Sequence, residues 1–269
     1  MASIFLIITF SCIVAGGLWL AFFILTLCIL GSKEFISFAN AKGINPSNKL
    51  IYFSITVLIL ASARTYLYKY AGLALTLLVI ASMLGIMMRG KKATIADVST
   101  TIFGFMYGGW LPAHIVALRD ITGKEFTVFG HHYSNGLGYL LLMFLVITIS
   151  DIAGYYVGTK FGKAPLCPEI SPKKTIAGAI GSTVGGILIA MAVGKMISLL
   201  WYQSLLAGIV LSASAQLGDL VESMLKRDAG FKDSGNLLPG HGGVLDRADS
   251  YILTGAVAYY FFSLFILGL

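Results

Sequence analysis

Charge is scarce in this chain: Asp, Glu, Lys and Arg together make up only 12% of its 269 residues, against 57% hydrophobic. One soluble core cannot absorb that much apolar surface and still present a polar exterior, so a water-soluble globule is excluded. Cysteine is equally sparse. Cys12 and Cys28 fall in apolar runs and Cys167 in a loop, which gives neither a disulfide framework nor a thiolate metal spacing. With only six prolines, nothing reads as a Pro-rich linker, and no low-complexity tract or separable soluble domain interrupts the sequence. The first residues, MASIFLII, hold no Lys or Arg, so they lack the cationic start of a signal peptide and are expected to be retained.

What the chain has instead is long apolar runs. Crossing roughly 30 Å of hydrocarbon takes about 20 apolar residues as helix, and lipid admits only helices or closed barrels because backbone groups must be satisfied internally. Runs without period-two alternation select helices. The expected fold is therefore all-α, a polytopic membrane helical bundle of eight to nine transmembrane helices, forming a single domain over residues 1–269. Spans are predicted near Ser3–Val14, Leu18–Gly31, Leu50–Ala63, Ala71–Met88, Val98–Leu118, Gly136–Val157, Ile176–Gly194, Met196–Leu217 and Ser250–Leu269. Gly16-Gly17 suits a tight turn between two short, partly re-entrant helices, and one long tilted helix is the alternative.

Of the 19 cations, 14 lie in or beside the loops after even-numbered spans, among them Lys33, Arg89, Lys160 and Lys226. The positive-inside rule then puts those loops in the cytoplasm and the C-terminus on the opposite side of a cytoplasmic (inner) membrane. The +7 net charge reads as topology and anionic-lipid contact, with no nucleic acid as partner.

The acids are concentrated. Six of twelve fall between Asp219 and Asp249, which places the catalytic part in the second half, about residues 150–255. Asp219, Glu222, Ser223 and Lys226 are spaced i, i+3, i+4 and i+7, one face of a helix if the eighth span continues through them, and Asp246, Asp249 and Ser250 repeat the pattern at the last span. Two carboxylates about 5 to 6 Å apart repel by about 3 kcal/mol at an effective dielectric near 20, so a cation is expected between them. Oxygen donors without a Cys or His pair suit Mg²⁺ at one or two divalent sites, with a second, different cation possible. Pairing of the acids with Lys226, Arg227, Lys232 and Arg247 as a solvated network is the plain alternative. The intervening Gly230, Gly235, Gly240, Gly242 and Gly243 allow close backbone approach, and with those four cations they suit a polyphosphate.

Ser223-Met-Leu-Lys226-Arg227, Lys232-Asp233, Leu238-Pro239-Gly240-His241-Gly242-Gly243 and Asp246-Arg247-Ala248-Asp249 together resemble the signature of the phosphatidate cytidylyltransferases, or CDP-diacylglycerol synthases. Gln216-Leu-Gly-Asp219-Leu-Val-Glu222, Ser171-Pro172-Lys173-Lys174-Thr175 and the intraspan Asp151 also look like family elements. The resemblance is strong over the second half and reduces to a pattern of spans in the first. It implies CTP and phosphatidic acid as substrates, CDP-diacylglycerol and pyrophosphate as products, and Mg²⁺ as cofactor.

On that reading Asp219 and Asp246 are metal ligands, with Glu222 and Asp249 as further ligands or their supports. Lys226, Arg227 and Arg247 hold phosphate oxygens, Lys173 with Lys174 forms a second anion clamp, and Ser223, Lys232 and Asp151 line the substrate site. His241 donates to phosphate or to leaving pyrophosphate, or stabilises a turn. Other CTP-using lipid enzymes, such as a diether phosphate cytidylyltransferase or a polyprenol kinase, stay open. A cation-coupled transporter is disfavoured, because the acids gather at one edge beside a glycine-rich loop. Pairing into a homodimer through exposed helix faces is compatible with the sequence, which does not dictate it.

Smaller features read structurally. Asp97 suits a helix N-terminus, His131-His132 a solvated loop, and His114 a packed or interfacial position. Trp110 and Trp201 suit the membrane interface. Gly154, Gly158 and Gly162 fit a close helix contact better than a phosphate loop.

Overall fold

The structure, a computed structural model, describes residues 2–122, 125–128, 131–235 and 242–268. Helices dominate, and among the described residues six are long and apolar enough to cross a membrane. The chain is a predominantly helical, multi-pass membrane protein. Each of the nine expected segments is helical at its centre. Three of them, α1 (Ala2–Ala15), α3 (Asn48–Ser62) and α5 (Ala71–Met87), fall short of crossing length as straight helices.

Contacts group the residues into two compact units, each discontinuous in sequence. The first comprises Met1–Asp120 with Leu225–Ala248, the second Ile121–Met224 with Asp249–Leu269.

In the first unit, α1 and α2 (Gly17–Ala41) are separate helices, broken at Gly16, whose φ of 64° belongs to the left-handed region that glycine adopts without a Cβ penalty. The two short re-entrant helices expected here are corrected in one respect: α2 runs on to Ala41 and has full crossing length. Arg119 closes the end of α1 by donating to the carbonyls of Ile13 and Val14 at 2.9 and 3.0 Å. The hub is α3, whose Ile51, Ile55, Leu58 and Ile59 are fully buried among α2, α5, α6 (Ile95–Phe105) and α7 (Leu111–Arg119). A single turn, α4 (Thr65–Tyr68), links α3 to α5. Thr94 and Asp97 form a reciprocal capping box at the start of α6, and Asp97 also accepts the Asn45 amide at 2.8 Å, so this acid is structural. Between α6 and α7 the helix widens into a π turn, Met106–Trp110. His114 is fully buried; it donates from Nδ1 to the Trp110 carbonyl at 2.8 Å and stacks edge-on against Trp110 and Tyr68.

The second unit is built on α8 (Asn135–Phe161), α9 (Ile176–Met196), most of α10 (Trp201–Asp228) and most of α11 (Leu245–Tyr260), which ends in a π turn, Phe261–Ile266. Helices α8 and α9 meet along a seam of small residues. A Cβ added to Gly181 would stand 2.5 Å from Val157, and one added to Gly185 2.6 Å from Ala153, while Gly154 and Gly158 back onto Gly178. This is the close helix contact that small residues permit in lipid, where packing replaces hydrophobic drive. Two antiparallel hairpins were not anticipated: β1 (Glu125–Val128) with β2 (His131–Ser134), and β3 (Pro165–Cys167) with β4 (Ser171–Thr175). The His pair expected in a solvated loop thus sits on a strand, with exposed His132 hydrogen-bonded to Thr127 at 3.1 Å.

Candidate active site

The continuation of α10 to Asp228 puts Asp219, Glu222, Ser223 and Lys226 on one helix face, as their spacing predicts. The helix closes on Gly230, at φ 78°: the amide of Phe231 reaches the Lys226 carbonyl at 2.8 Å and that of Gly230 the Arg227 carbonyl at 3.1 Å. Phe231, just after the helix end, then packs against Phe38 with the ring centroids 5.1 Å apart and the planes tilted. Asp246 and Asp249 both lie in the first turns of α11, which begins at Leu245, five residues earlier than expected.

Around Asp219 the surroundings are acidic. Asp249 feels the charges of Asp219, Glu222 and Asp151, and Asp151 on α8 feels Asp219 and Lys174. Glu222 is fully buried. Lys174, carried by β4, places its Nζ 2.6 Å from Asp219 Oδ2 in a pair whose side chains are 26% and 36% exposed. Ser223 donates weakly to Asp219 Oδ1 at 3.5 Å. The approach of α10 to α11 depends on Gly218, where a Cβ would stand 2.7 Å from the Asp249 carbonyl. That missing side chain lets the two acid-bearing helices touch.

Asp246 keeps different company. Its Oδ1 accepts Lys226 Nζ at 2.6 Å and Ser234 Oγ at 3.0 Å, and its Oδ2 accepts the amides of Ser234 and Gly243 at 2.9 and 2.8 Å. The side chains of this ion pair are only 12% and 16% exposed. Breaking a pair so buried costs about 3 to 5 kcal/mol, because the remaining charge is stranded.

Of the other expected substrate contacts, Lys173, Lys232, Arg227 and Arg247 are exposed, and Arg227 reaches the Phe231 carbonyl at 3.4 Å. His241 lies outside the described residues, as do Leu238, Pro239 and Gly240. Sequence reasoning missed Ser234, Glu34 and Tyr251. Buried Glu34 on α2 accepts the amides of Val244 and Leu245 at 3.0 and 2.8 Å, and Tyr251 bonds to Thr148 within range of Asp151 and Asp249. A lone acid inside the apolar run of α2 was the available signal for Glu34, since ionisable residues at membrane depth are costly unless they have a task.

The profile of the cytidylyltransferase family matches residues 1–265. The chain belongs to the cytidylyltransferase family. The phosphatidate cytidylyltransferase of Synechocystis sp. is 36% identical to it across 97% of this chain and 94% of the relative. The chloroplastic phosphatidate cytidylyltransferase 5 of Arabidopsis thaliana is 35% identical, over 93% of this chain and 67% of that protein. The Staphylococcus epidermidis phosphatidate cytidylyltransferase is 34% identical, with 93% and 92% covered.

In this cytidylyltransferase, no three described His, Cys, Asp and Glu side chains converge into a finished metal-holding group. The donor chemistry nevertheless fits a hard divalent ion: the acidic set offers carboxylate oxygens alone, and the ammonium of Lys174 stands in as a cation against Asp219.

Proposed function

We propose that the chain transfers the cytidylyl group of CTP to phosphatidic acid, making CDP-diacylglycerol and pyrophosphate with Mg²⁺ at the cytoplasmic edge of the membrane. The observation that carries this reading is the acidic set Asp151, Asp219, Glu222 and Asp249, gathered from α8, α10 and α11 with one lysine drawn onto it.

A phosphate monoester has its second pKa near 6, so phosphatidate is largely dianionic at neutral pH and needs no strong general base. Its oxygen attacks the α-phosphorus of CTP; one P–O bond forms as the bond to the β-phosphate breaks, and pyrophosphate leaves with the electron pair. The obstacle is repulsion between anions. Asp219, Glu222 and Asp249 would hold Mg²⁺, which when bound neutralises phosphate oxygens and aligns attacking and leaving groups. Asp246 keeps its place among the proposed ligands on its motif alone, since Lys226, Ser234 and Gly243 take its oxygens here. Lys173, Arg227, Lys232 and Arg247 are exposed and suited to bind phosphate oxygens, and Lys174 and Lys226 can turn to them from their acidic partners. Ser223 and Asp151 line the same reading of the substrate site, and His241 is assigned to the phosphates from sequence.

The test is pyrophosphate release by purified protein given CTP, phosphatidate and Mg²⁺, with each nucleotide triphosphate swapped in turn and diether phosphate and dolichol as competing acceptors. Turnover confined to CTP and phosphatidate is expected. Release of CDP instead of pyrophosphate would identify a kinase and overturn the proposal. The cytoplasmic placement of the polar loop and the opposite placement of the C-terminus follow from the cation bias and are checked by labelling single cysteines from each side. Crosslinking in native membranes tests the homodimer.

A further inference from the structure

Glu34 takes no part in the proposed reaction, yet it is a carboxylate with 5% exposure on a membrane-spanning helix. Among the described residues it meets no cation. Its two oxygens instead receive the amides of Val244 and Leu245, the entry to α11. Such an arrangement is stabilising because the first amides of a helix have no partners within it and carry partial positive charge. Capping residues ordinarily come from the same chain segment. Here the cap comes from a helix some two hundred residues away in sequence, at separations of 210 and 211.

Gly235 and Gly243, on either side of residues 236–241, stand close against this carboxylate. A Cβ on Gly235 would stand 2.7 Å from Glu34 Oε1, and one on Gly243 2.7 Å from Oε2. Neighbouring residues alternate between two acids. Ser234 and Gly243 give their amides to Asp246, while Gly235 and Val244 face Glu34. The two ends of the loop are thus clasped from one side by Glu34 and from the other by Asp246. With Val244 and Leu245 anchored by Glu34, the next residue in the chain is held in one position, and that residue is Asp246.

We infer that Glu34 is a positioning residue for the cytidylyl transfer: it fixes the first turn of α11 so that the Asp246 carboxylate is held ready for the ion and phosphates of the proposed reaction, on which this role depends. Gln at position 34 has the same shape but supplies one acceptor and one donor group, so one of the two amides would confront another N–H. Shape is kept while the clasp is lost.

The experiment compares full-length wild type with Glu34→Gln and, as a second route to the same disturbance, Gly235→Ala. Amide hydrogen exchange at Val244 and Leu245 without metal, Mn²⁺ half-saturation by electron paramagnetic resonance, and kcat and KM for CTP are measured on each. Exchange about tenfold faster at those two amides is expected, as for loss of one hydrogen bond to a charged group. The Mn²⁺ half-saturation point should rise, and kcat should fall on the order of tenfold to a hundredfold with KM within about twofold, the pattern of a misplaced group. Wild-type kcat and Mn²⁺ half-saturation in Glu34→Gln, whatever happens to thermal stability, would overturn the role and leave Glu34 as a fold anchor. If Glu34→Gln does not fold, the same measurements on Gly235→Ala decide between the two roles. Absence of any Mn²⁺ response in the wild type would instead remove the metal reading, while a fall in kcat with faster exchange in the variants would still uphold positioning.

Discussion

Asp246 and Asp249 stand three residues apart on α11, and their surroundings are opposite. Asp246 is satisfied by the protein itself, with a lysine, a hydroxyl and two amides on its two oxygens. Asp249 faces other acids, and its carboxylate accepts the neighbouring Ser250 amide at 2.6 Å. The contrast separates two uses of a carboxylate near a membrane. One ties a loop to a helix while also standing among the proposed ligands, and its loss should be felt as instability together with inactivity. The other adds to a concentration of negative charge that Lys174 meets only at Asp219, and its loss should first be felt as inactivity.

Substitution at the acidic set offers the sharpest way to break this distinction. Asp219→Asn and Asp249→Asn should each lower kcat by on the order of 10²- to 10³-fold, the scale of losing one preorganised electrostatic group, while the protein remains extractable and monodisperse. Near-normal pyrophosphate release from Asp219→Asn would show that this set does not hold the ion. Lys226→Met strands the Asp246 charge and should cost about 3 to 5 kcal/mol in detergent unfolding titrations. A loss below about 1 kcal/mol there would mean the buried pair does not stabilise the loop. Gly218→Ala forces a methyl against the Asp249 carbonyl and should cost about 1 to 3 kcal/mol, with activity falling in step as α10 and α11 are pushed apart. Unchanged unfolding would show that the contact yields easily. The smallest effect on stability belongs to Lys174→Met, whose pair is more open: less than about 1 kcal/mol, with a KM for anionic substrate raised about tenfold by loss of a charge-assisted contact.

Much of this was legible in the sequence because it rested on composition and helical spacing. Apolar runs named the membrane helices, and the i, i+3, i+4, i+7 pattern from Asp219 to Lys226 held because α10 continues to Asp228. Span ends were less legible. The sequence pattern lets α2 stop at Gly31 and α11 start at Ser250, yet both helices extend further with polar residues that find partners: Glu34 takes amides, and Asp246 takes Lys226, Ser234 and Gly243. Hydropathy registers the cost of such groups and not their compensation. The hairpins were hidden for a related reason, since strands of three to five residues are too short to show an alternation. The division of the acids into two sets depends on contacts distant in sequence, from β4 to α10 and from the loop to α11, which no local pattern encodes.

The glycine seam between α8 and α9 has a consequence for how this chain can vary. Val157 fills the space that Gly181 leaves, and Ala153 that of Gly185, so bulk gained at 181 or 185 has to be surrendered at 157 or 153. Substitutions along the two helices are therefore expected to travel in compensating pairs, and a lone Gly181→Val chain should be recovered from random mutagenesis only alongside a Gly or Ala at 157.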